Sequence, residues 1–171
     1  MKMAIMMTKE TVVALGSLCV KQGEPLVLCT PPLGTALAVA LYDPVAAVGG
    51  LLAAILPDST LDEARALDEP ALFVDSGLQS LLNEFTRLGG QLSNARIHAA
   101  GGMEVIGAET VYDLGIRNRQ MLLNLLPVYE LSLTSSELGG HLSVSLALDL
   151  ETGEVTIKRP GASSFETPCK K

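Results

Sequence analysis

Between residues 36 and 42 the chain reads Ala-Leu-Ala-Val-Ala-Leu-Tyr, small and large side chains in alternation. A strand turns successive side chains to opposite faces. The segment therefore predicts a strand with an alanine face (Ala36, Ala38, Ala40) and a bulky face. Asp43-Pro44 ends it, because proline has no N–H for the sheet ladder. The same period recurs late in the chain, where Leu142, Val144, Leu146 and Leu148 alternate with Ser143, Ser145 and Ala147. Glu151-Thr152-Gly153 then turns that strand into residues 155–157 as a hairpin. Residues 12–15 and 25–29 predict two short strands, separated by the turn residues Lys21-Gln22-Gly23-Glu24. Residues 96–100, stopped by Gly101-Gly102, predict another. Gly49-Gly50 predicts a tight or positive-φ backbone before the apolar run of residues 51–56.

Two segments change period. Leu78, Leu81, Leu82, Phe85 and Leu88 fall on one face at helical spacing, with Asp75 or Ser76 as N-cap and Gly89-Gly90 as the stop. Residues 114–126 predict a second helix burying Ile116, Met121, Leu122 and Leu125, closed by Pro127. Residues 58–69 carry five acids and one arginine and predict a surface insertion. Strands at both ends with helices between them predict an α+β domain, a mixed β-sheet core with flanking helices. Residues 1–159 are expected to form one domain and residues 160–171 a flexible tail.

Composition narrows the function classes. The 171 residues carry a net charge of −7, with Lys and Arg scattered except at Lys158-Arg159 and the last two lysines. That argues against nucleic acid, which needs clustered cations, and the absence of tryptophan argues against base stacking. The uncharged run of residues 44–57 contains a Gly pair and has 14 residues, too few for a membrane span. Residues 1–10 lack the apolar core and cleavage site of a signal peptide. Three cysteines, Cys19, Cys29 and Cys169, without a Cys-x-x-Cys spacing suit reduced thiols in the cytoplasm.

Taken singly, the chemistry-bearing residues make no site. His98 on a short strand reads as a structural side chain, and His141 follows Gly139-Gly140 in a turn. No cysteine lies near either histidine in sequence, so no zinc site is expected, and no other metal or cofactor. None of the Gly-Gly pairs, nor Gly34-Thr35, matches a phosphate-cradling motif, and there is no Gly-x-Ser-x-Gly elbow.

Taken together, several stretches resemble the CheD family, the chemoreceptor glutamine deamidases of chemotaxis. "TPPLGTALAVALYDP" is similar to the family's T-x-x-L-G-S-C-V-x-V-x-L-Y-D, and "GGLLAAILP" to its G-G-M-x-H-x-M-L-P. "HAAGGMEV" sits where the family has a Lys-x-Phe-Gly-Gly-Ala strand end. "LGIRN" resembles I-G-x-R-N, and "ELGGHLSVSLALDLETGEVTIKR" the late β segment. The resemblance spans about residues 11–159 and implies the family's cysteine-hydrolase fold.

It also implies where the family's site falls. The conserved threonine lands on Thr30, the nucleophilic cysteine on Ala36 and the catalytic histidine on Ala53, and the preceding serine becomes Thr35. Ser143 and Val144 stand where the family has Gly-Arg. Deamidation needs a thiolate to attack the carboxamide carbon and a base to carry the proton to ammonia. Methyl groups do neither, and losing such a unit costs on the order of a millionfold in rate.

The resemblance therefore implies a catalytically silent chemotaxis protein. It would bind chemoreceptor cytoplasmic helices or a CheC-type phosphatase through Thr30, Gly34, Thr35, Gly49 and Gly50. Two alternatives stay open: an active deamidase with a relocated nucleophile (Cys29 or Cys19), or a domain recruited to an unrelated assembly. Equally open is whether Ala36 and Ala53 line a retained groove or pack the core.

Overall fold

A computed structural model describes residues 8–107, 109 and 113–161. Its strands form two sheets. Strands β1 (Lys9–Val12), β3 (Leu26–Cys29), β8 (Ser145–Asp149) and β9 (Val155–Lys158) lie side by side in the order β1-β3-β8-β9. The second sheet has the order β2-β5-β4-β6-β7. It is built from β2 (Ser17–Gln22), β4 (Leu37–Asp43), β5 (Val48–Ala54), β6 (Arg96–Gly101) and β7 (Ser135–Leu138). Both sheets are mixed, since β1 runs parallel to β3 and β6 to β7 while the other neighbours are antiparallel. Among the described residues three α-helices complete the fold: α1 (Glu63–Asp68), α2 (Val74–Arg87) and α3 (Leu114–Val128). This is the expected α+β arrangement.

The alternation of β4 explains the layering. Its leucine and valine face (Leu37, Val39, Leu41) joins Leu52 of β5 and meets Leu78, Leu81, Phe85 and Leu122 of α2 and α3. Its small face (Ala36, Ala38, Ala40) meets Leu28, Leu146, Leu148 and Ile157 of the other sheet. Each fully buried Leu or Phe of these two clusters stabilises by roughly 1.5–3 kcal/mol.

Several expectations are corrected. The first strand is Lys9–Val12, three residues before the predicted run. Strand β2 passes straight through Lys21-Gln22, where the sequence predicts a turn; as an edge strand it is half-buried and lacks a clean period. Gly49 and Gly50 lie inside β5 and neither has a positive φ. Their value is space: a Cβ on Gly49 would strike Leu150, and one on Gly50 would lie 2.9 Å from both Leu81 and Val20.

Helix α2 begins one residue before the proposed caps. Phe73 is its N-cap, without a side-chain bond, and the Asp75 carboxylate instead accepts from the Ser59 N–H and hydroxyl. Helix α3 runs on to Val128 and takes Pro127 into its last turn. Its buried stripe is Gly115, Asn118, Leu122 and Leu126; Ile116, Met121 and Leu125 are only half-buried. Strand β7 was not foreseen. Strand β8 starts at Ser145, so the alternation before it is not strand, and Leu142 is 63% exposed. The acidic segment at 58–69 is largely exposed, as expected. Cys169 and the tail from residue 162 lie outside the described residues.

Candidate functional site

The antiparallel register of β4 and β5 sets Ala38 directly opposite Ala53. Ala36 lies two residues earlier on the same face, hence diagonal to Ala53. Diagonal neighbours across such a pair stand about 7–8 Å apart, or somewhat less between Cβ atoms, a gap that two longer side chains close. Positions 36 and 53 are thus brought together on one face. They are also closed off: Ala36 is 3% and Ala53 0% exposed, in one apolar cluster with Leu33, Val144 and Leu146.

Around Ala36 the backbone is held from several directions. Its N–H donates to the Leu33 carbonyl (2.9 Å), and its carbonyl accepts from the Gly102 N–H (2.8 Å). Gly34, in the left-handed region at φ +55°, is half-buried beside Thr35. Its N–H donates to the Ser143 hydroxyl (3.1 Å), and its carbonyl accepts from the Met103 N–H (2.9 Å). Gly101 has φ +99°, and a Cβ there would strike the Ala36 carbonyl. Only glycine lets the end of β6 lie this close. Gly139 donates to the Gly101 carbonyl and Glu104 to that of Gly140, so three glycine turns gather at this end of the sheets.

Thr30, 5% exposed, follows the end of β3 and bonds to β8, its neighbour in the same sheet. Its N–H donates to the Leu146 carbonyl (2.8 Å), and its hydroxyl accepts from the Leu146 N–H (3.0 Å). The hydroxyl thereby continues the β3–β8 ladder past its last backbone pair. Gly49 and Gly50, the remaining predicted contact residues, are buried within β5.

The residue that sequence reasoning passed over is Asn118. Fully buried on α3, it donates from one Nδ2 to the carbonyls of Thr35 and Ile55, both at 2.9 Å. These carbonyls flank the backbone that carries Ala36 and Ala53, so a single carboxamide ties the start of β4 to the end of β5. Its own Oδ1 is buried without a partner. The signal was the polar residue inside "LGIRN", three positions after Gly115 and four before Leu122, on the stripe that proved to be buried.

Asp113 secures the helix. Its carboxylate accepts from Val105 N–H (2.8 Å) and Ile116 N–H (3.2 Å). The Val105 bond holds its pKa below the usual carboxylate value against the opposing effect of burial, helped by Ile116, Gly115 and the Arg119 charge. Arg119 pairs with Glu104 at 2.7 Å beside the glycine turns.

No thiol–imidazole pair is seen across the strands of the sheet among the described residues. Cys19, Leu51, Ala40 and His98 form one row across β2, β5, β4 and β6. Three strand spacings separate the sulfur from the ring, about 14 Å. Cys29 follows the inward-facing Leu28 and so points to the outer face of its sheet, its thiol directed at the Thr11 carbonyl (3.7 Å). Burial pushes both thiol pKa values up, the reverse of an activated nucleophile. His98 shares a 2.6 Å hydrogen bond with Ser135, and burial, then the Arg96 charge, lowers its pKa to about 4. His141 is exposed. Among the described residues no cluster of His, Cys, Asp and Glu could hold a metal, and no helix is long and apolar enough to cross a membrane.

What the arrangement offers is a stiff backbone frame around two methyl groups. Comparison with known proteins gives that frame a family context. Residues 55–159 match the family model described as CheD chemotactic sensory transduction, a span that begins two residues after Ala53. Over 142 residues the chain is 33% identical to a probable chemoreceptor glutamine deamidase of Solibacter usitatus, covering 83% of this chain and 84% of the relative. It is 36% identical over 142 residues to the equivalent protein of Desulforamulus reducens, covering 81% and 84%. Against the chemoreceptor glutamine deamidase of Thermotoga maritima the identity is 27% over 150 residues, covering 88% and 92%.

Proposed function

The chain belongs to the CheD family, and from that membership we propose that it is a catalytically silent chemotaxis protein acting by binding. Its partners are chemoreceptor cytoplasmic helices or a CheC-type phosphatase. The observation that carries this reading is that Ala36 and Ala53 share one face at a spacing where a thiol and an imidazole would meet. At those positions an amide can be neither attacked nor supplied with a proton. The distance from Cys19 to His98 and the outward direction of Cys29 weigh against relocated chemistry.

In this reading Gly34 and Thr35, half-buried on the turn, touch the partner. Thr30, Gly49 and Gly50 are the frame beneath it, and binding survives the loss of catalysis because that frame is backbone-built. The protein acts in the cytoplasm, where receptor helices and phosphatase are both reachable.

Calorimetry against a receptor cytoplasmic fragment and a CheC-type phosphatase tests the proposal, with ammonia release measured on the same samples. Saturable binding to either partner without ammonia supports it. Alkylation-sensitive ammonia release would establish a relocated nucleophile instead. Absence of binding to both partners removes the chemotaxis role and leaves recruitment to another assembly.

A further inference from the structure

A surface helix ordinarily turns charged and polar side chains away from the core. Helix α2 does so, exposing Gln79, Asn83, Thr86 and Arg87. The outward side of α3 does not. From Gln120 to Tyr129 the chain carries no charge. Gln120, Leu123, Asn124, Pro127 and Val128 are exposed, Leu123 by 47% and Val128 by 72%. Spacings of three and four residues set them, with the half-buried Arg117, along one side of the helix.

The two ends of this stripe carry opposite charges. Arg117 stands near the start of α3 and Glu130 just past its last residue. The Glu130 N–H donates to the Pro127 carbonyl (3.1 Å), which keeps that residue at the helix end. Both lie equally far in sequence from the midpoint between Leu123 and Asn124. A stripe positive at one end, uncharged along the middle and negative at the other matches itself when reversed. That is the condition for an isologous contact, in which a patch meets its own copy across a two-fold axis. A partner of a single charge would match one end only. Over the rest of the surface a net charge of −7 makes two copies repel, so an uncharged side is where they can approach.

We propose that the outward side of α3 is the contact surface for a second copy of this chain. The two helices pack antiparallel about a two-fold axis near Leu123 and Asn124. Leu123, Pro127 and Val128 are buried there, and Arg117 of each copy meets Glu130 of the other. With 15 residues, α3 is about 22 Å long. One such pair falls short of a standard interface, so the dimer is of micromolar affinity or weaker. The contact is separate from the turn at Gly34-Thr35 and does not depend on what that turn binds.

Sedimentation equilibrium of the full chain from about 5 to 500 μM tests the proposal over the range in which so small an interface fills. A monomer–dimer equilibrium is expected. Leu123→Lys should weaken it by about tenfold or more. Arg117→Glu and Glu130→Arg should each weaken it several-fold. An equal mixture of those two variants should recover dimers, since each supplies the charge that the other lacks. Arg117 also exerts its charge on Asp58, so every variant is first compared with the parent by thermal melting. Leu123→Lys decides alone should Arg117→Glu melt lower. A chain monomeric at every concentration, or a dimer indifferent to Leu123→Lys, would overturn the proposal. Charge variants that weaken the dimer without recovery on mixing would overturn the antiparallel arrangement. Were the chain monomeric and Leu123→Lys to abolish binding of a receptor cytoplasmic fragment, the surface would belong to that partner instead.

Discussion

The two faces of β4 and β5 are built on opposite plans. Toward the helices, Leu37, Val39, Leu41 and Leu52 meet Leu78, Leu81 and Phe85, large side chains against large ones. Toward the other sheet, Ala36, Ala38, Ala40, Ala53 and Gly49, with Leu51 and Tyr42 the larger residues among them, meet Leu28, Leu146, Leu148 and Leu150, so the other sheet supplies most of the bulk. The first face draws stability from side chains that could be trimmed. The second draws it from the closeness of two backbones, which only enlargement disturbs. A catalytic pair placed on the second face would need room that these neighbours now fill.

Trimming and enlarging therefore probe the two plans separately. The largest effect belongs to the helix side: Phe85→Ala removes a fully buried ring and should cost about 3–5 kcal/mol by denaturant unfolding. A loss below about 1 kcal/mol would mean that α2 is not seated as described. Enlarging the inner face comes next. Ala53→His should cost at least the upper end of the roughly 1–3 kcal/mol typical of overpacking. Combined with Ala36→Cys it should recover no ammonia release, since both positions are closed to solvent. Turnover in that double variant would show that the sheets part readily at this end.

The sequence made one of these plans easy to read. Helix α2 announces itself through five apolar residues at helical spacing, and β4 through its alternation, because each repeats one period over two turns or more. What was hidden depends on partners distant along the chain. Edge strand β2 is half-buried, edge strand β7 buries two serines, and neither follows a period. The glycines of β5 look like a turn until Leu150, a hundred residues later, is seen to need the space at Gly49, and Leu81 and Val20 that at Gly50. The stripe of α3 was misplaced for the same reason, since Asn118 is buried to serve carbonyls 63 and 83 residues away. Of the candidate site, the meeting of positions 36 and 53 was foreseen through resemblance. The closure over them follows from the leucines of β8, which no local pattern assigns to that spot.

Asn118 offers a smaller perturbation, one that loosens the inner face without changing its volume. Asn118→Leu keeps the bulk but leaves the Thr35 and Ile55 carbonyls without their shared donor. About 1–3 kcal/mol of stability should go with them. Hydrogen exchange should rise first at the start of β4 and the end of β5, leaving α2 unaffected. Uniform acceleration instead would assign Asn118 to the helix-side core alone.

The smallest effect is read by pH, and it separates an inner-face group from the carboxylates that tie the loops. Burial lowers the His98 pKa from 6.5 to about 4, so between those values the unfolded chain binds the proton and the fold does not. Stability then falls as pH drops through that window and levels off, for this group, below it. Asp43 behaves differently. Burial pushes its pKa up, but donors from Gln91, Ala46, Val45 and Asn94 together outweigh this and hold it below 3.8. Its contribution is present above 3.8 and is lost only as pH falls through the lower folded value. His98→Gln should flatten the limb between pH 6.5 and 4 and leave the more acidic limb in place, while Asp43→Asn should do the reverse. If one substitution moved both limbs, the inner face and the loop ties would have to unfold as a single proton-linked unit.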